Sequence, residues 1–214
     1  MTKDENIIAS IEKTVKIILG ANSQAQFKLL IDYANAVIEW NKVHNIISRN
    51  TENIFENIHD SIFVSSLFND YFSKQSPIKR IVDVGSGNGL PGIPLSILFP
   101  EKDIVLIDSN RKKCSFLRAT KSELKLQNLS ILNRNFDGSF QENFIVTKAA
   151  FSPTNSGVLI SGLKKGGKAI LWATPKIKEE LVLEMAKVFA KLIEEKMFIS
   201  PTGKERLFLV FEKL

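Results

Sequence analysis

Residues 81–92 read Ile-Val-Asp-Val-Gly-Ser-Gly-Asn-Gly-Leu-Pro-Gly, an apolar run that ends in an acid and passes directly into a glycine-dense turn. The apolar run predicts a buried strand. The turn predicts a ligand-binding loop, because glycine reaches backbone angles closed to other residues and lets a ligand approach the main chain. Pro91 near the start of the next apolar stretch suits the opening of a helix over 91–99. About 20 residues further on, Leu106-Ile107-Asp108-Ser109 repeats the pattern of strand then carboxylate, the place from which an acid grips ribose hydroxyls. The two segments together describe a site for a nucleoside-containing cofactor.

The loop fits two spacings. Gly85, Gly87 and Gly89 follow G-x-G-x-G, whereas Gly87, Gly89 and Gly92 satisfy the dinucleotide pattern G-x-G-x-x-G. Asp83 separates them: a carboxylate beside the loop repels a diphosphate and suits the ammonium and sulfonium charges of S-adenosylmethionine. The plainer alternatives are a strand-to-helix turn that binds nothing, an Asp83 that only caps the loop by accepting backbone N–H groups, and an Asp108 that only serves a helix N-terminus.

From residue 79 onward, apolar strands alternate with helical patterns: strands over 79–84, 103–107, 129–133, 144–149 and 167–173, and helices over 91–99, 110–125 and 154–162. A Gly166-Gly167 turn precedes the strand at 167–173, and a long amphipathic helix is expected over 176–196. Residues 197–200 and 206–212 flank Pro201-Thr202-Gly203 and predict an antiparallel hairpin. The pattern is that of an α/β chain with a mostly parallel sheet covered on both faces. Before it, Ile7, Ile11, Val15 and Ile18, then Phe27 to Ile38, then Ile54 to Phe68 recur at helical spacing, with Ser23 placed as an N-cap. The expected division is a helical segment at 1–76 and a Rossmann-like unit at 77–214.

Charge is unevenly placed. The chain of 214 residues carries a formal +6, yet residues 1–76 are net −2 and residues 77–214 net +8. Arg111, Lys112, Lys113, Arg118, Lys121 and Lys125 crowd one predicted helix, as a phosphate-facing surface does, although a solvated helix face has the same look. Cys114 is the single cysteine, which excludes an internal disulfide and a multi-cysteine zinc site; it reads as a buried thiol, and no metal is expected. No basic leader or membrane-length apolar run is present, so a cytoplasmic location without a membrane partner is expected.

The string Asp83-Val84-Gly85-Ser86-Gly87-Asn88-Gly89-Leu90-Pro91-Gly92-Ile93-Pro94-Leu95 resembles the signature of the RsmG family, also called glucose-inhibited division protein B. The likeness continues through Leu106 to Ser109, Lys113, Phe116 to Arg118 and Glu123 to Asn128, and upstream through Trp40-Asn41-Lys42 with Asn45. It implies a class I S-adenosylmethionine-dependent methyltransferase that methylates N7 of a guanine in 16S rRNA of the small ribosomal subunit; a monomer is expected. The implied cofactor residues are Gly85, Leu90, the pair Phe136-Asp137 beside adenine, and Lys148, where the family has arginine.

On this reading Asp83 sets the methionine end, Asp108 holds the ribose, and Gly85, Gly87 and Gly89 permit close approach. Read without the resemblance, Phe136 is a core side chain and Asp137 a solvated one. Glu56 and Asn57 replace an Arg-His pair of the family, so less RNA contact is expected from this helix. His44 and His59 are read as partly exposed structural residues, and Trp40 and Trp172 as packing residues. Guanine N7 has its lone pair available, so no general base is required and the catalytic residues are unknown; alignment of donor and acceptor suffices. A nicotinamide-dependent oxidoreductase and a non-catalytic RNA-binding module on a degenerate methyltransferase fold remain as rivals.

Overall fold

The computed structural model describes residues 2–20, 23–44, 53–148 and 150–214. Three helices come first: α1 (Lys3–Leu19), α2 (Gln24–His44) and α3 (Ile54–Leu67), with a single turn α4 (Asn69–Phe72) after them. A capping box starts α1, in which the Thr2 side chain accepts from Glu5 N–H while the Glu5 carboxylate accepts from Thr2 N–H. Its buried residues Ile7, Ile11, Thr14 and Val15 form one stripe at helical spacing. By contrast α3 is buried on nearly every side, including Glu56, Asn57, His59, Asp60 and Ser61. It is wedged between α1 and α2 and the sheet, so its polar side chains must find partners inside the protein.

Seven strands follow: β1 (Arg80–Val84), β2 (Asp103–Asp108), β3 (Leu129–Asn133), β4 (Glu142–Lys148), β5 (Leu163–Ala173), β6 (Ala190–Ile199) and β7 (Glu205–Lys213). They form one sheet in the order β3-β2-β1-β4-β5-β7-β6. Five are parallel neighbours, and β7 runs antiparallel between β5 and β6. Helices α5 (Gly92–Leu98), α6 (Arg111–Glu123), α7 (Gly157–Ser161) and α8 (Pro175–Lys187) connect the strands.

The two-residue period of the strands sorts side chains between two cores. Ile81, Leu106, Phe144, Val146, Ile170 and Phe208 join the cluster built with α1 to α6, while Val82, Val84, Ile107, Ile145, Leu171 and Leu209 join the one under α7 and α8. Each fully buried leucine, isoleucine or phenylalanine contributes about 1.5–3 kcal/mol. Asp83 has the parity of Ile81 and therefore faces the helical side. Trp40 packs edge-on to Phe116 with ring centroids 5.4 Å apart, and Trp172 to Phe208 at 5.1 Å, both as packing residues.

Three expectations are corrected. The helix expected over 176–196 stops at Lys187, Phe189 takes φ 58°, and Ala190–Ile199 is a ten-residue edge strand. The Gly166-Gly167 turn lies inside β5, where the register against β4 shifts between Glu142 and Phe144. The helix over 154–162 divides into a 3₁₀ turn at Pro153–Asn155 and the short α7. The other elements expected after residue 79 start and stop within two residues of the expected bounds, α1 and α2 extend beyond their apolar periods, and Ala149, expected to end β4, lies outside the described residues.

Candidate active site

At the C-terminal ends of β1 and β2 lies a cavity of about 820 Å³, within the range of small-ligand sites. Its lining includes Gly85, Ser86, Gly87, Asn88 and Leu90 from the loop, Asp108 to Asn110 after β2, Arg134 to Phe136 after β3, and Lys148. Of the residues expected to hold the cofactor, Gly85, Gly87, Leu90, Asp108, Phe136 and Lys148 line this one space.

Asp108 joins the second strand to the loop. One carboxylate oxygen accepts from Gly87 N–H at 2.8 Å and the other from Asn110 N–H at 2.8 Å. A carboxylate offers about four acceptor sites, so roughly two remain for hydroxyl groups in the cavity. The carbonyl of Asp108 accepts from Asn133 Nδ2 at 3.0 Å and from the Cys114 thiol at 3.2 Å, which holds the residue from behind. Cys114 is fully buried, and burial raises its pKa, as befits an inert thiol.

Asp83 is not in the lining. It is fully buried under the loop, on the helical side, where Oδ2 accepts from Gly92 N–H at 2.9 Å. Burial pushes its pKa up to about 7, against the lowering effect of the Gly92 and Ser86 hydrogen bonds. Its work is to hang the start of α5 on β1. At Gly92 a Cβ would lie 2.1 Å from Leu106 Cδ2 and 2.7 Å from Asp83 Oδ2, so only glycine allows this approach. Tyr33 of α2, which no local pattern marks, ties the loop to the helical segment by donating to Asn88 C=O at 2.8 Å.

The expected charge-based selection at the loop therefore has a different physical basis. Gly85 and Ser86 N–H donate to Ile107 C=O, Gly89 and Leu90 N–H to Ser86 C=O, and Ile93 N–H to Gly89 C=O. Gly87 and Gly92 N–H are taken by Asp108 and Asp83. A dinucleotide diphosphate binds through such amides at a helix N-terminus. Here those of Gly85, Ser86, Gly87, Gly89, Leu90 and Gly92 are already satisfied, so the loop offers shape and Asp108 rather than an anion cradle.

Gly89 and Asp137 also stand outside the lining. Gly89, at φ +101°, packs its α-carbon against Ile93 and Leu117. Asp137 is turned to Arg134 at 2.9 Å and to Ser139, whose hydroxyl and N–H lower its pKa to about 2. Arg134 sits 4.8 Å from the Phe140 ring centroid, and Phe140 stacks on Phe136 at 5.0 Å. After β3 the cavity is thus bordered by Arg134, Asn135 and Phe136, and Asp137 is not in the lining.

Glu56 and Asn57 face inward. The Asn57 amide oxygen accepts from Lys148 Nζ, and Glu56 accepts from Ser200, Thr202, Lys204 and Arg206 of the β6–β7 hairpin. Burial alone would raise the pKa of Glu56; these hydrogen bonds and the Lys204 charge outweigh it and lower it. Neither side chain is on the surface, and Asn57 lines the cavity, so these two positions present no charge to RNA. His59 is likewise buried rather than partly exposed, stacked on Phe63, and burial lowers its pKa to about 4. The His44 side chain and Asn45 lie outside the described residues.

A family model described as rRNA small subunit methyltransferase G matches residues 26–209. The chain belongs to this family. A ribosomal RNA small subunit methyltransferase G of Brachyspira hyodysenteriae is 36% identical over 83% of this chain and 84% of its own length, and that of Lactococcus lactis subsp. cremoris 31% identical over 100% and 91%. The match to the Hydrogenovibrio crunogenus relative, 40% identical, takes in 58% of this chain and 54% of that one.

Among solved structures, magnesium protoporphyrin IX methyltransferase from Synechocystis PCC 6803 with bound SAM superposes with a TM-score of 0.60 at 13% identity, over 86% of this chain and 98% of that one. TrmN from Thermus thermophilus gives 0.55 at 17% identity, over 72% and 49%. The fold is that of class I S-adenosylmethionine-dependent methyltransferases. The family cofactor, S-adenosylmethionine, fits the cavity's donor set: a carboxylate with spare acceptor sites, an aromatic ring, and a loop without side chains at Gly85 and Gly87.

Proposed function

We propose that this chain is a small-subunit ribosomal RNA methyltransferase that modifies N7 of a guanine in 16S rRNA. One observation carries the reading: a cavity walled by the glycine loop, Asp108 and Phe136 opens beside a cationic helix and has no histidine in its lining among the described residues. When bound, S-adenosylmethionine supplies a methyl on a sulfonium, so that as the N7 lone pair forms the N–C bond the C–S bond breaks and its electron pair stays on sulfur. No proton leaves the nucleophile, and a base-free site that aligns the two reactants at about 3 Å is sufficient.

In this reading Asp108 accepts from the ribose hydroxyls, Phe136 flanks the adenine, and Gly85, Gly87 and Leu90 bound the loop side. Lys148, held by Asn57, stands at the methionine end as a single point charge without arginine's fork. Asp83, Gly89 and Asp137 act indirectly, through the shape of the loops. Arg111, Lys112, Lys113, Arg118 and Lys121 of α6 face RNA phosphates. Arg111, Lys112 and Arg118 are exposed, and none of the five pairs with a carboxylate among the described residues. Residues 1–76 form a helical cover for the 77–214 core, and the chain acts as a cytoplasmic monomer. No helix among the described residues is long and apolar enough to cross a membrane.

The test is incubation with methyl-labelled S-adenosylmethionine and small-subunit RNA or subunits, followed by mass mapping. Label in N7-methylguanine at one position is the expected result. RNA bound without label would favour the non-catalytic module, and label on an exocyclic amine would refute the N7 assignment.

A further inference from the structure

A second cavity, of about 310 Å³, shares a wall with the first: Lys148, Ala150 and Phe151 line both. Leu171, Trp172 and Leu207 make it largely apolar, and beyond Lys148 of the shared wall its charged lining is Asp60 and Arg206. Both charged side chains come from the helical face of the protein, α3 and β7, and Arg206 Nε donates to Asp60 Oδ2 at 2.6 Å. A further bond from Arg206 to Glu56, at 3.3 Å, fixes the guanidinium and with it the direction of the Asp60 carboxylate. The Trp172 indole is 9% exposed and its Nε1–H is buried with no hydrogen-bond partner among the described residues. A buried donor without an acceptor is rare and unfavourable, and calls for a ligand or another explanation.

We propose that this second cavity receives the guanine to be methylated, with Trp172 Nε1–H donating to O6 and the Asp60 carboxylate accepting from N1–H and the 2-amino group. The inference rests on the methyltransferase reading above and adds to it the acceptor site. O6, N1–H and the 2-amino group lie along one edge of guanine. With that edge turned inward, the five-membered ring, which carries N7 and the glycosidic nitrogen, faces the wall shared with the cofactor cavity. The base would leave its stack to enter, as enzymes acting on bases generally require.

The same two groups reject adenine. Its 6-amino group would set a donor against the indole N–H, and its N1 lone pair would face the Asp60 carboxylate. Each mismatch leaves a buried polar group unpaired, which is how a polar pocket discriminates most strongly. Pyrimidines have no N7 to offer.

The experiment uses the full chain with Trp172→Phe, which keeps an aromatic ring and removes only the N–H donor with a little volume. The expected result is about a tenfold fall in kcat/KM for RNA methylation, with S-adenosylmethionine affinity by calorimetry within about twofold of the parent. The thermal midpoint should fall only by what the lost packing against Phe208 costs, since the removed N–H has no partner among the described residues of the free protein. A kcat/KM within twofold of the parent overturns the assignment, whatever the midpoint does. The unsubstituted protein gives an independent check: RNA with 2-aminopurine at the mapped guanine keeps N7 and the amino group but lacks O6 and N1–H. It should be methylated at least about 50-fold more slowly, and equal rates overturn the proposal. If the unsubstituted protein labels no guanine at all, the functional reading itself fails; if it labels guanine and both probes behave as the parent, only the pocket assignment falls.

Discussion

Asp83→Asn tests the claim that the acid before the loop is a buried structural group. Its carboxyl is fully buried, and burial raises its pKa from 3.8 to about 7. A raised carboxyl pKa means that the folded state holds the proton more tightly than the unfolded one. The associated stability is therefore complete below pH 3.8 and is lost as pH rises through about 7. Linkage between those two values withdraws about 2.5 kcal/mol between pH 5 and pH 8.

Asparagine does not titrate, and its amide oxygen can still accept from Gly92 N–H. Its NH₂ takes the place of Oδ1, which is buried without a hydrogen-bond partner among the described residues, so the absolute offset between variant and parent can take either sign. The slope is what counts. Urea unfolding at pH 5 and pH 8 should show the variant gaining about 2.5 kcal/mol on the parent across that range, since other titrating groups cancel in the difference. A difference constant to within about 0.5 kcal/mol would refute the reasoning.

Three further outcomes follow from the geometry. Asp108→Ala should weaken S-adenosylmethionine binding at least about tenfold by calorimetry, or about 1.4 kcal/mol; unchanged affinity would remove Asp108 from the site. Gly92→Ala places a methyl 2.1 Å from Leu106 and should cost about 1–3 kcal/mol of stability by overpacking, so an unchanged denaturation midpoint would contradict the packing described here. RNA binding should weaken as salt rises, and Lys112→Glu with Arg118→Glu should flatten the log–log slope by roughly two phosphate contacts; an identical slope would move the RNA face off α6.

What the chain's local patterns reveal is what is locally caused. Strands β1, β2 and β4 are buried on both faces over short apolar stretches, interrupted in β1 by Asp83, and the loop with Asp108 is encoded within 21 residues by backbone needs that glycine and a carboxylate meet directly. The end of α8 is different. Residues 188–199 mix an exposed Phe189 and a half-exposed edge strand, and the break is a positive φ at a phenylalanine, which no residue type advertises.

The parts of the site that escaped reading are contacts across long separations. Tyr33 reaches Asn88 over 55 positions, Lys148 reaches Asn57 over 91, and Arg206 reaches Glu56 over 150. This explains why Glu56 and Asn57 look like a lost basic surface when read along α3 alone. The hairpin returns cations, Lys204 and Arg206, to the same place in space, and they make burying the acid at position 56 tolerable. A helix that seems depleted of RNA-binding charge is thus one half of an internal ion network that positions Asp60 and Arg206 at the mouth of the second cavity. Exchanging Glu56 for a base would set like charges against the hairpin, so the residues at 56, 204 and 206 must be understood, and varied, together.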